Sequence, residues 1–148
     1  LYALCQRLCE AHGFHQYEIS NFARDVFQCR HNQKYCLDEE YLGIGPAAHS
    51  FYGGKRFAVP RDIEAFITAQ RQPTEITDDQ PGDHDERVMM GLRLAEGIPE
   101  ELYEPLEKGL RLIPQEYYRL ENGRLSLTGK GFPVYNYIVS LLLAHRED

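Results

Sequence analysis

The 148-residue sequence contains no tryptophan and two methionines, and its four cysteines are too few for a disulfide scaffold. Scattered thiols in a chain of this size point to a reducing, cytosolic setting. Long apolar runs are missing as well. The apolar stretch near the C-terminus is too short and too polar to span a bilayer, and no signal peptide is expected. A positive excess is lacking throughout: residues 1–60 carry six basic and six acidic groups, 61–96 four and nine, and 97–148 six and eight, for a net charge of −7. Nucleic-acid and anionic-membrane binders need the opposite balance. What is present is a globular composition, 43% hydrophobic with ten Tyr and seven Phe, enough to bury a core. The chain opens at Leu1, already inside an amphipathic pattern, and so reads as a piece of something longer.

The densest chemistry lies between Cys29 and Tyr52, where His31, His49, Cys29, Cys36 and several aromatics gather around a Tyr-Leu-Gly-Ile-Gly run. One reading is a pair of short strands joined by a polar loop, its histidines satisfying backbone carbonyls. The other is a binding stretch, because the polar groups, glycines and aromatics occur together without a helical period. Gly43-x-Gly45-x-x-Ala48 matches a loose dinucleotide fingerprint, but strand, Gly-Gly turn and strand follow it rather than a helix, and Pro46 removes an amide. Gly43 and Gly45 are read instead as letting the backbone pass close to a bulky neighbour or forming a bulge.

Around that stretch the pattern predicts an α+β chain. Leu1, Leu4, Leu8 and Ala11 define a helix ending at Gly13, with Cys5 and Cys9 extending its apolar stripe. Cys5-x3-Cys9-x2-His12 imitates an iron–sulfur run, but such ligands converge from a loop, so these cysteines are expected in the helix core. Phe14–Phe22 alternates as one strand, and its neighbouring strand is expected to be missing. That would leave Glu18 and Asn21 near a strand end of the kind that carries sites, and an exposed edge through which the chain could form a homodimer. Residues 61–71 form a helix with Ile63, Phe66 and Ile67 inward, and Thr74–Asp83 an acidic connector. Asp85–Glu96 is a helix, closed by Gly97-Ile98, and Glu100–Lys108 another, ended by Gly109. Asn122-Gly123 joins a hairpin, and Lys130–Ala144 closes the chain as a helix. The organisation is read as 1–60, 61–96 as connecting helices, and 97–148. The last resembles a winged-helix module, whose Glu100, Glu101, Glu104 and Glu107 would repel nucleic-acid phosphate.

Taken in succession, Tyr17-Glu18-Ile19-Ser20-Asn21-Phe22-Ala23-Arg24, His31-Asn32-x-x-Tyr35 and Glu40-Tyr41-Leu42-Gly43-Ile44-Gly45-Pro46-x-Ala48-His49-Ser50 resemble the C-terminal half of the oxygen-independent coproporphyrinogen III oxidase-like radical-SAM family. Met89–Ile98 and Arg124–Gly131 fit its C-terminal domain. The heme-chaperone branch fits best. The resemblance implies that 1–60 supplies the last helix–strand unit of a partial (β/α) barrel and the strands after it, followed by a small winged-helix-like domain. It implies S-adenosylmethionine and a [4Fe–4S] cluster in the full-length protein, with cluster ligands outside this chain, and heme or porphyrin as the molecule handled. His31, Asn32 and Tyr35 match the heme-binding motif of that branch, with His31 the candidate metal ligand, because neutral imidazole is a common axial ligand of heme iron. Glu18, Asn21, Gly43, Gly45 and His49 are further candidate cofactor-binding residues. Cys36 stands where tryptophan is usual, and Ala47 where glycine is common. The alternatives are the oxidase itself and a non-catalytic interaction module.

Overall fold

The computed structural model describes residues 1–147, which form two compact units: Leu1–Leu37 with the chain from His84 onward, and Asp38–Asp83. These units cut across the three segments read from the sequence.

The first unit opens with α1 (Tyr2–Ala11), then β1 (His15–Glu18), β2 (Asn21–Ala23) and α2 (Arg30–Cys36). It continues through α4 (His84–Gly91), β6 (Ile98–Pro99), α5 (Glu100–Tyr103), α6 (Glu107–Leu110), β7 (Tyr118–Glu121), β8 (Arg124–Leu127) and α7 (Tyr135–Ala144). Its core is built from α4 to α7 and the antiparallel sheet β6-β8-β7, with Leu92, Leu106, Leu125 and Leu142 fully enclosed. The Asn-Gly hairpin forms as expected, because Asn122 (φ 53) and Gly123 (φ 70) supply the left-handed pair that a tight two-residue turn needs. The residues expected inward on the last helix are buried or partly so, but its first turn is a 3-10 turn at Phe132–Val134.

Several expectations are corrected. The helix core assigned to α1 is absent: none of its residues is buried, Leu1, Leu4 and Leu8 are exposed, Cys5 is exposed and Cys9 half-buried. Their stripe has no counterpart among the described residues. Phe14–Phe22 is two strands, β1 and β2, folded back as a hairpin. The turn forms because Glu18 accepts the Ser20 N–H at 2.9 Å, a bond that an extended chain does not offer. β1 is not left unpaired. Ile19 donates its N–H to the Arg93 carbonyl at 2.8 Å, and Ala95 to that of Tyr17 at 3.0 Å, so the edge expected to invite a second chain is partly occupied. The helix expected to run to Glu96 stops at Gly91. Gly109 lies inside α6, where a Cβ would crowd the Leu142 backbone of α7, so its role is close helix packing rather than termination.

The second unit is the antiparallel sheet β3-β4-β5, made of β3 (His49–Tyr52), β4 (Lys55–Ala58) and β5 (Glu75–Asp78), with α3 (Ile63–Thr68) between the last two. The Gly53-Gly54 turn joins β3 to β4 as expected. β5 lies within the supposed connector, and Ile63 and Ile67 of α3 are exposed rather than inward. Asp62 caps α3 by accepting the Ala65 N–H at 2.9 Å.

Candidate functional site

The stretch from Cys29 to Tyr52 is divided between the units. Its first part is helical, contrary to the extended reading: α2 starts after Cys29, without a side-chain cap, and ends at Cys36. On a helix, residues four apart share a face, so His31 and Tyr35 meet. The Tyr35 hydroxyl lies 3.0 Å from His31 Nε2, and the rings make an edge contact with centroids 5.2 Å apart. Both side chains are solvent-accessible. Beside them the Asn32 Nδ2 is buried without a hydrogen-bond acceptor. An orphaned donor of this kind costs about 1–3 kcal/mol and marks a place where an acceptor is wanted.

The inner side of α2 carries Cys36, buried next to the Arg93 guanidinium. Burial pushes this thiol up and the nearby Glu18 charge adds to the effect, outweighing the Arg93 guanidinium, which acts the other way. Glu18 is only 2% exposed and is saturated with donors. One carboxylate oxygen accepts from the Ser20 N–H at 2.9 Å, the Ser20 hydroxyl at 3.0 Å and Asn21 Nδ2 at 2.7 Å. The other accepts from Arg93 Nε at 3.1 Å and Nη2 at 2.7 Å. Burial alone would raise the Glu18 carboxyl; the bonds from the Ser20 backbone, Asn21 and Arg93 overcome it and hold the group below its usual range. Glu18 and Asn21 are therefore brought together with each other and with Arg93, 75 residues away in sequence. Sequence reasoning missed Arg93. The signal for it was a carboxylate in an alternating run, since a buried charge needs a cationic partner.

Gly43, Gly45 and His49 lie in the second unit. A Cβ on Gly43 would overlap the His49 carbonyl, so the expected close backbone passage is real, though it is made against the chain itself. Gln72, unmarked by the sequence, donates to the Gly43 carbonyl at 3.0 Å and accepts the Gly45 N–H at 3.2 Å. Gly43 in turn donates to the buried Ser50 hydroxyl at 2.9 Å. His49 is exposed at the start of β3.

The four cysteines do not converge. Two stand on α1, one precedes α2 and one is buried at its end. Among the described residues no three His, Cys, Asp or Glu side chains come together as a metal-holding group, so these side chains do not fit an iron–sulfur cluster. His31 with Tyr35 and the orphaned Asn32 fits a macrocyclic iron complex better, needing one imidazole rather than a cage. No helix among the described residues is long and apolar enough to cross a membrane.

The fold is similar to that of the solved radical-SAM enzyme coproporphyrinogen III oxidase (HemN) from Escherichia coli, with a TM-score of 0.62 at 13% identity. The match covers 95% of this chain and 39% of that one, and it concerns the fold. The chain belongs to the HemN/HemW-like radical-SAM family and corresponds to its C-terminal region. It is 33% identical over 105 residues to the heme chaperone HemW of Bacillus subtilis, covering 66% of this chain and 27% of that protein. It is 39% identical over 93 residues to the HemW of Synechocystis sp., covering 58% and 23%. The chain thus spans about a quarter of the length of these relatives. No family model matches it.

Proposed function

We propose that this chain is the heme-contacting C-terminal portion of a HemW-like protein that binds heme and delivers it to an acceptor, with His31 as the iron ligand, Asn32 as its support and Tyr35 as the hydroxyl that holds the imidazole nitrogen until iron displaces it. The observation that carries the reading is the exposed His31–Tyr35 pair on α2, within His-Asn-x-x-Tyr. Asn32 offers its unpaired amide to a ligand acceptor. In this reading α1 and the β1–β2 hairpin close a partial (β/α) barrel, and 97–148 is a winged-helix-like domain. S-adenosylmethionine and a [4Fe–4S] cluster are held by residues outside this chain. Glu18, Asn21, Gly43 and Gly45 act as framework, and His49 is not assigned to the ligand set. The cytoplasm is the compartment proposed.

Hemin titration tests the reading. The chain should give a Soret band of imidazole ligation, which His31→Ala removes or shifts while His49→Ala leaves it alone. His31 Nε2 is engaged by the Tyr35 hydroxyl. Tyr35→Phe should free that nitrogen and tighten binding roughly 2–10-fold, the worth of one ordinary hydrogen bond. Retention of the unshifted band in His31→Ala refutes the assignment. Loss of it in Cys36→Trp, with His31→Ala unaffected, would indicate thiolate ligation instead.

A further inference from the structure

Phe14, Phe22, Ala23, Arg24 and Phe27 line an open groove of about 400 Å³ in the first unit. Aromatic side chains supply most of its walls. Phe27 is 77% exposed and stands at the rim of this groove. Arg24 is the cation of the site. Its guanidinium carbon lies 5.0 Å from the centre of the Phe14 ring, so the planar cation is held against one aromatic wall. No carboxylate pairs with Arg24 among the described residues, although the chain as a whole carries a net charge of −7. The loop that forms the groove is itself constrained. Phe27 donates its N–H to the Arg24 carbonyl at 3.0 Å, closing a turn through Val26, whose φ of 64 is a left-handed value rare for a β-branched residue. Without that turn Phe27 would not stand out beside Arg24.

From these features we infer that the groove is a docking platform for the ring face of a carboxylate-bearing tetrapyrrole, with the phenylalanines taking the macrocycle and Arg24 a propionate. The inference rests on the heme reading above and goes beyond it, since it separates holding the ring from ligating the iron. Charge complementarity selects the occupant. Flat aromatic walls suit a conjugated ring, and one unpaired guanidinium suits a ligand acid. The groove residues lead in sequence directly into Cys29 and α2, so the loop that offers Phe27 also begins the helix that offers His31.

Metal-free protoporphyrin IX and its dimethyl ester are the probes, followed by porphyrin fluorescence on the 148-residue chain. The metal-free ring cannot be ligated by His31, so its binding reports the contacts other than iron ligation, and the groove variants isolate the groove among them. Phe27→Ala should weaken both probes roughly 5–10-fold, the worth of one aromatic contact. Arg24→Gln should weaken the diacid about 10-fold, as for a charge-assisted bond, and leave the ester unchanged. His49→Ala should alter neither. Equal effects of Arg24→Gln on acid and ester, or no effect of Phe27→Ala, would overturn the proposal. If the groove variants behave as expected but His31→Ala leaves the hemin spectrum intact, the ligation reading fails and the platform stands. If hemin depends on His31 while metal-free porphyrin ignores the groove variants, the platform fails and ligation stands. Absence of porphyrin binding overturns the platform; concentration-dependent association abolished by Phe27→Asp would then assign the groove to a second copy of the chain.

Discussion

Replacing Glu18 with glutamine keeps the shape of the side chain and removes the charge that gathers five donors. A glutamine has one acceptor oxygen. If that oxygen turns toward Arg93, its amide faces the donors of Ser20 and Asn21; if it turns the other way, its amide faces the guanidinium. Either arrangement strands at least two donors. Breaking a buried ion pair from one side costs about 3–5 kcal/mol, but the Arg93 side chain is 35% exposed and can recover water. A loss of roughly 2–3 kcal/mol is therefore expected for Glu18→Gln. In a chain of this length that lowers Tm by about 5–10 °C. Far-UV circular dichroism gives the stability, and hydrogen exchange at the Ile19 and Ala95 amides, which bond across to the neighbouring strand segment, locates it. The double variant Glu18→Gln/Arg93→Gln should cost less than the sum of the two singles, because each removes the same pair. The dependence on pH has a definite sign. The folded carboxyl titrates below its ordinary range, so the unfolded chain takes up the proton first. The contribution is intact above about pH 4–5 and is lost as pH falls through the lower folded value, and Glu18→Gln should lack that part of the acid sensitivity. A Glu18→Gln stability within about 0.5 kcal/mol of the parent, or strict additivity with Arg93→Gln, would refute the reasoning.

Gly97→Ala should be among the most damaging single changes, at about 3 kcal/mol or more: Gly97 has φ +72, and a Cβ there would overlap the Leu125 carbonyl of β8. Denaturant midpoints measure the loss, and an unchanged midpoint would contradict the packing of β6 on β8. Native thiol titration with an aromatic disulfide should find Cys5 and Cys29 reacting fast, Cys9 more slowly and Cys36 only on unfolding; a fourth thiol that reacts in the folded chain would contradict the burial of Cys36.

How much of this was legible in the sequence follows the range of the interaction that decides each element. The Asn122-Gly123 and Gly53-Gly54 hairpins were readable because two residues fix the turn. The inward face of α7 was readable because its period of buried residues runs over ten positions. α2 was not. It spans seven residues, has no capping side chain, and buries only Cys36, so neither capping nor amphipathic period announces it. The apolar stripe of α1 was visible, but a stripe states which face seeks burial and not what covers it. Ile63 and Ile67 of α3 failed for the same reason.

The candidate site divides along the same line. His31-Asn32-x-x-Tyr35 could be picked out as a motif, yet the meeting of His31 with Tyr35 depends on α2 being helical, which the pattern did not supply. The carboxylate of Glu18 was noticed without its partner, because Arg93 arrives from 75 residues away. That partner changes the meaning of the residue. A carboxylate with five donors and a titration point below its ordinary range is fixed in charge at neutral pH and has no acceptor capacity to spare for a ligand. Its consequence for function is therefore positional. Arg93 is held by Glu18 on β1 and lies against Cys36 at the end of α2, so the hairpin and the helix bearing His31 share one guanidinium. Loosening it by Glu18→Gln should disturb the helix that presents the imidazole, whereas His31→Ala should leave the Glu18–Arg93 pair and its stability intact.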